Sequence, residues 1–405
     1  MKKIIFILIF FAGSMLIAQT NSLSLQEFMT QISTLEKSVS ENFKNKNYEA
    51  LEKALNESIM LFYRLSDNEQ ETYKMVQGSN YYNLACAYSL QNRKMEAIDA
   101  FEKAIKNWDY INYSHAKQDS DLDNIRGEKR FVELMQSIRE QGDYLYILKQ
   151  AGKYEKSDTT GLPHFEYENA DNQRLKAVKN LFNLDSVAGQ GDEISKIINL
   201  MTWVHNTIKH DGNNYALCEF DAIDFYNYHK STGKGINCRG LAITLNECYL
   251  AMGFKSRYVT CLPKNEKDPD CHVINCVYSE TLQKWLWIDP TFNAYVKDEN
   301  GNLLSIEEVR EKLISDKPLV LNEDANWNNE SRETKEHYLD TYMAKNLYWL
   351  ECPAISQFNP ESRYRNNQNT YIALMPIGYE HSNTNKKQII IHSPEYFWQK
   401  PQIKK

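Results

Sequence analysis

The sequence predicts an α+β chain: an all-α N-terminal half built of paired helices, then a domain in which a helix bearing a cysteine packs on an antiparallel sheet. Three observations predict it. From about residue 22 to 155, glycine and proline are scarce and apolar residues recur at helical spacing. Residues 256–289 contain three short runs, SRYVTC, HVINCVY and KWLWID, that read as strands. Between these regions lies GKGINCRGLAITLNECYLAMGF, residues 233–254, which places Cys238 in the first turn of a helix.

At the start of the chain, Lys2 and Lys3 precede an apolar run from Ile4 to Phe11, and small residues follow at Ala12, Gly13 and Ser14. This is the order of a secretory signal peptide over residues 1–18, with cleavage expected after Ala18. The run is short for a membrane span, so the mature chain is expected to be exported (periplasmic or extracellular) without a transmembrane segment. The formal net charge is −7, and losing Lys2 and Lys3 makes it more negative. An acidic chain lacks the basic field that phosphate backbones require, which argues against nucleic acid as a partner. At 405 residues the chain has room for two domains and a third small element.

In the helical half, residues 22–155, the most informative stretch is NYYNLACAYSLQNRKMEAIDAFEKAIK, Asn80 to Lys106. Small residues at Ala85 and Ala97 let two helices approach, while Leu84, Tyr88 and Phe101 fill the space between them. The stretch resembles a tetratricopeptide repeat. A weaker copy of a second helix runs from Asn47 to Leu55, and Asp121–Arg126 with Phe131 and Leu134 reads as the start of a following helix. Repeats of this kind stack because one alone cannot bury its apolar face. Two roles stay open: a groove for a protein partner, or a helical block that orients the second domain.

Residues 152–172 carry Gly152, Gly161 and Pro163 among polar residues, and the helical period stops there. The boundary is read near residue 160, with a second domain at 165–320 and an extension of uncertain fold at 321–405. In the second domain Asp192 is suited to cap a helix whose apolar face is Ile194, Ile197, Ile198, Met201, Val204 and Ile208, ending near His210-Asp211-Gly212. Gly235 is read as permitting a tight turn before Cys238. The Cys238 helix shows an inner face of Leu241, Ala242, Leu245, Tyr249 and Met252. In the tail, Ser305–Leu313 and Tyr338–Leu350 read as helices, and Tyr371–Met375 and Gln388–Ile391 as strands that extend the sheet or cover a cleft.

The chemistry concentrates on three residues. A cysteine at a helix N-terminus sits among unpaired N–H groups that favour the thiolate. His272 opens one strand and Asp289 closes its hairpin partner, so the two are expected to face each other. A carboxylate beside an imidazole sets its tautomer and steadies its charge, and an imidazole beside a thiol makes an ion pair. Glycine before the cysteine, a helix carrying it, His at a strand start and Asp289-Pro290-Thr291 closing the next strand resemble the transglutaminase-like superfamily over roughly residues 175–295. Trp203 in the upstream helix fits the same likeness.

The resemblance implies a papain-like core with Cys238, His272 and Asp289 as the catalytic residues. It implies attack on an amide of a protein or peptide substrate through a thioester, as a peptidase, an amidase or a transamidase, with no cofactor and no metal. The backbone N–H of Cys238 would help hold the oxyanion. The family's second donor lies upstream of the cysteine, and Asn213, Asn214 and Tyr215 are candidates. Arg239 stands where the family often has an uncharged residue. Two rival readings remain: a partner-binding scaffold with a vestigial triad, and a maturation accessory whose repeats present a partner to the triad. Cys261, Cys271, His272 and Cys276 are poorly spaced for zinc, because adjacent residues on a strand face opposite sides. Cys261 and Cys271 are a candidate disulfide. His205 and His210 read as solvated or core residues. Trp285 and Trp287 read as core, or as walls of a groove.

Overall fold

The structure, a computed structural model, describes residues 23–155, 159–362, 369–382 and 387–402. The expected signal peptide lies outside them. Among the described residues no helix is long and apolar enough to cross a membrane. The chain divides into two compact units after Gly142.

The first unit is helical. Its main elements are α1 (Leu25–Lys44), α2 (Tyr48–Phe62), α3 (Lys74–Leu90), α4 (Lys94–Trp108) and α5 (Lys129–Gly142). Ser24 starts α1 with a reciprocal capping box to Glu27. The α3–α4 pair closes on Ala85, Ala97, Phe101 and Ala104, all without exposed surface. Small residues at the crossing let the backbones approach, and Phe101 packs on Phe131 of α5 with ring centroids 5.1 Å apart. Residues Ser120–Ile125 form a 3₁₀ turn, so the helix expected there begins later, at Lys129.

The second unit begins at Asp143, ahead of the polar stretch at 152–172 where the sequence suggests a boundary. The cause is local: Leu148, in the short helix Tyr144–Lys149, is buried in this unit's core with Val259 and Ile274. Two helices set the site, α6 (Glu193–Thr207) and α7 (Cys238–Ala251), with α8 (Ile306–Ile314) following the sheet's first strands. The main sheet has six strands: β1 (Ser256–Leu262), β2 (His272–Ser279), β3 (Lys284–Ile288), β4 (Trp349–Pro353), β5 (Tyr371–Leu374) and β6 (Gln388–Ile391). Their spatial order is β6-β5-β4-β1-β2-β3. Every pairing is antiparallel except β5 with β6, which is parallel, so the sheet is mixed at one edge.

Both faces of this sheet are buried. Val259, Ile274, Trp285 and Trp287 point into one core, and Tyr258, Val273, Val277 and Leu286 into the other. The period of two along each strand sorts them. Trp285 and Trp287 are therefore core residues: the indole N–H of Trp287 donates to the Tyr338 hydroxyl, and that of Trp285 to the carbonyl of Trp398. The helix α7 is buried on every side from Gly240 to Ala251, beyond the single inner face its apolar residues suggest. It is enclosed by the helices Gln173–Leu181, Glu193–Thr207 and Ala222–Thr232 and by β1 and β2.

The tail joins this unit. Residues beyond 321 supply β4, β5 and β6, half the strands of the main sheet. The helix expected at Tyr338–Leu350 is instead a π turn over Tyr338–Met343, a short helix Ala344–Asn346 and the start of β4.

Candidate active site

Cys238 is the first residue of α7. Asn237 caps the helix, its Oδ1 accepting from the Gly240 N–H at 3.0 Å. Gly240 packs closely on Ile236, where a Cβ would meet its Cδ1 at 2.9 Å. The first N–H groups of a helix have no intrahelical acceptor, so α7 presents its positive end to the Cys238 sulfur.

His272 opens β2. Its Nε2–H donates to Asp289 Oδ2 at 2.7 Å, with both side chains buried. A carboxylate only accepts, so this bond puts the proton on Nε2 and leaves Nδ1 as the basic nitrogen. The His272 ring also interacts with Cys238, and the Tyr342 hydroxyl lies 3.3 Å from Nδ1. His272 and Asp289 are not directly opposite on the hairpin. Asn275 pairs with Ile288, so the partners are out of register and the side chains bridge the offset along one face. Asp289 leaves the strand in a bridge to Ala294, where its Oδ1 accepts from the N–H of Thr291 at 2.8 Å and of Phe292 at 3.4 Å. The Tyr338 hydroxyl donates to Oδ2 at 2.6 Å.

The electrostatics separate Cys238 from its neighbours. Burial pushes up the thiols of Cys86, Cys248, Cys261, Cys271, Cys276 and Cys352. Burial also acts on Cys238, but the neighbouring His210 and His272 rings outweigh it and hold the thiol lowered to about 6. Burial disfavours the His272 imidazolium, yet the charge and hydrogen bond of Asp289, with those of Cys238, raise it to about 10. Between these values the pair rests as thiolate and imidazolium. All eight cysteines are free, so Cys261 and Cys271 form no disulfide; Cys261 faces the core instead.

His210 is the residue that sequence reasoning missed. The helix α6 ends at Thr207 with Ile208 as its cap, before the expected stop. His210 then forms a parallel bridge with Ile236, two residues ahead of Cys238. The bridge depends on Gly235, where a Cβ would meet the Lys209 carbonyl oxygen at 2.7 Å and the Asp211 nitrogen at 3.0 Å. Gly235 thus serves a close approach of two backbones. A short hairpin, Asn326–Trp327 with Ser331–Arg332, holds the residue from the far side. Asn328 accepts from the His210 N–H at 2.8 Å and donates to its carbonyl at 2.9 Å. The Trp327 indole N–H donates to His210 Nδ1 at 3.0 Å.

The other candidates lie elsewhere. Asn214 spends its amide on the Gly235 carbonyl at 2.6 Å and the Tyr228 hydroxyl at 3.0 Å, while Asn213 and Tyr215 are exposed. His205 is buried, its ring nitrogens 3.0 Å from the Pro290 carbonyl and the Asn326 side chain, so it braces the turn after Asp289. Arg239 points away from open solvent, paired with Glu361 at 2.8 Å and donating to Thr260 at 3.1 Å.

Residues 182–290 match the model of the transglutaminase-like superfamily. The span takes in α6, His210, α7 and the first three strands, and ends just past Asp289. No curated protein matches the chain. A solved structure from Cytophaga hutchinsonii, described as a "putative cysteine protease", is similar at 16% identity over 41% of this chain and 50% of that one, with a TM-score of 0.23. The chain thus spans about half the length of that protein. With its cysteine-bearing central helix and its sheet, the matched stretch is a transglutaminase-like domain, set in an α+β chain that opens with a helical unit.

Proposed function

We propose that the protein is a cysteine enzyme acting on amide bonds of proteins or peptides through a thioester on Cys238. One observation carries the reading: the Cys238 thiol interacts with the His272 imidazole, whose Nε2 is held by the buried Asp289 at 2.7 Å. In the proposed cycle the Cys238 thiolate adds to the carbonyl carbon, and a C–S bond forms. The tetrahedral oxyanion then collapses, the C–N bond breaks, and the His272 imidazolium gives its proton to the leaving amine. Water, or a second amine, gives a proton to His272 and attacks the thioester. The acyl group leaves as acid or new amide, and the thiolate–imidazolium pair returns. Hydrolysis is the favoured outcome, because an exported enzyme works in abundant water, and export rests on the charged and apolar order of residues 2–18. The helical unit, with its tetratricopeptide-like pair, is assigned the binding of a protein partner or substrate.

The test is iodoacetamide labelling of Cys238 across pH, read by peptide mass spectrometry. Labelling that rises through about pH 6, and moves to the ordinary thiol range in His272→Ala, supports the reading. Labelling of wild type that follows an ordinary thiol, near pH 8.5 or so, returns the protein to the scaffold reading. For turnover, Cys238→Ala is expected to lower the rate by about 10⁴-fold or more, as loss of a nucleophile does in triad enzymes.

A further inference from the structure

The proposed cycle needs two donors for the oxyanion, and the N–H of Cys238 is only one. The second is found from the hydrogen-bond inventory of His210. Its Nδ1 accepts from the Trp327 indole, which can only donate. A ring proton of His210 therefore sits on Nε2. The ring also acts on the Cys238 thiol, which lies two residues beyond Ile236, the bridge partner of His210. With Nδ1 occupied by the indole, Nε2 is the ring nitrogen left free to donate toward Cys238.

We infer that His210 is the second oxyanion donor, with Trp327 as the positioning residue that keeps its proton on Nε2. The assignment rests on Cys238 being the nucleophile. When Sγ bonds to a carbonyl carbon, the carbonyl oxygen lies two bonds beyond Sγ, on the side where Nε2–H of His210 can meet it. A donor aimed at the thiolate in the free enzyme is aimed at the oxyanion in the adduct. As the C=O π electrons move onto oxygen, Nε2–H and the Cys238 N–H meet the new charge. They release it when the C–N bond breaks.

The division of labour between two histidines on one sulfur follows from their partners. His272 has a carboxylate on Nε2, which favours a charged ring and a basic Nδ1. His210 has an indole N–H on Nδ1, which makes that nitrogen the acceptor and leaves Nε2 as the donor, because Trp327 cannot accept. One ring is built to carry a proton back and forth, the other to donate from Nε2. The backbone of His210 is clamped in both directions by Asn328, so the donor is held in place before substrate arrives. Such preorganisation is what makes an oxyanion donor effective.

The experiment compares two reactions at Cys238. Alkylation by iodoacetamide needs the thiolate and forms no oxyanion. Acylation by p-nitrophenyl acetate needs both. Rates are measured above the ordinary thiol pKa of about 8.5, where the thiolate is populated in every variant. Expected for His210→Ala is acylation slower by about 10²–10³-fold with alkylation changed by no more than about threefold. His210→Gln, which keeps an N–H donor, should recover at least about tenfold of the lost acylation. Trp327→Phe should fall between wild type and His210→Ala in acylation alone. In the wild-type protein, ¹⁵N NMR should find His210 protonated on Nε2 and bare on Nδ1, a readout that holds even if a variant fails to fold.

His210→Ala acylating within about threefold of wild type would overturn the assignment, as would parallel loss of alkylation and acylation, which would make His210 the base. A proton on Nδ1 in the NMR spectrum would do the same. A wild-type protein that alkylates as an ordinary thiol and leaves the ester intact is a different failure: it removes the enzyme reading itself, and His210 with it.

Discussion

A half-buried thiol beside two imidazoles answers to the charges around it. Burial alone would keep Cys238 protonated, as it does Cys248 in the same helix. The sign of the pH dependence follows. Below about 6 the Cys238 thiolate takes up a proton, and above about 10 the His272 imidazolium loses one. Amide turnover, which needs the thiolate to attack and the imidazolium to protonate the amine, should rise through the first value and fall through the second. Iodoacetamide labelling should show only the acid limb. A labelling profile with a second, alkaline limb would contradict these roles. Tyr338 is a further test at this scale. Burial and the Asp289 charge push its hydroxyl well up, so it stays protonated and donates. Tyr338→Phe removes that donor from a buried carboxylate and should cost about 1.5–3 kcal/mol of stability, read by thermal or denaturant unfolding.

Among the elements, α7 and the two backbones that meet beside it decide the site. Asn237 caps α7 through the Gly240 N–H, and Asn237→Ala should lose about 1 kcal/mol. Gly235 bears more directly on chemistry. A methyl there meets the Lys209 carbonyl oxygen at 2.7 Å, and a backbone atom cannot rotate away. Gly235→Ala should push the 209–211 segment off Ile236, and acylation by p-nitrophenyl acetate should fall more than alkylation by iodoacetamide. Equal losses in the two reactions would mean that the substitution disturbed α7 itself. The π turn at Tyr338–Met343 serves the same economy of placement: it brings Tyr338 onto Asp289 and Tyr342 onto His272 from one short segment.

For the whole molecule, each unit closes its own core. In the first, Phe101 is fully buried between α3, α4 and α5. Phe101→Ala should cost about 3–5 kcal/mol, seen as lost hydrogen-exchange protection among residues 23–142. In the second, the sheet runs to residue 391, and Trp398 closes over Trp285. A chain cut after residue 320 would lose half the strands of the main sheet and the hairpin that holds His210. It should fail to fold, shown by loss of near-ultraviolet circular dichroism, in place of yielding a small active domain.

The sequence by itself determined what local rules govern. Period and small-residue placement located α3 and α4. Alternation located β1 to β3, and the glycine-flanked run located α7 with Cys238 at its start. Those patterns also placed His272 at a strand start and Asp289 at a strand end, and the resemblance to the transglutaminase-like superfamily singled them out with Cys238. What tertiary structure decided is what depends on distant partners. The full burial of α7 arises from helices and strands on all sides, which no single face of its own sequence reports. The early end of α6 and the bridge from His210 to Ile236 depend on Gly235, a neighbour only in space. Trp327, Asn328, Tyr338 and Tyr342 reach the site from a tail whose short strands and π turn have no strong period. Their role is a matter of hydrogen bonds made across more than one hundred positions for Trp327 and Asn328, and side-chain donors leave no periodic trace in a sequence.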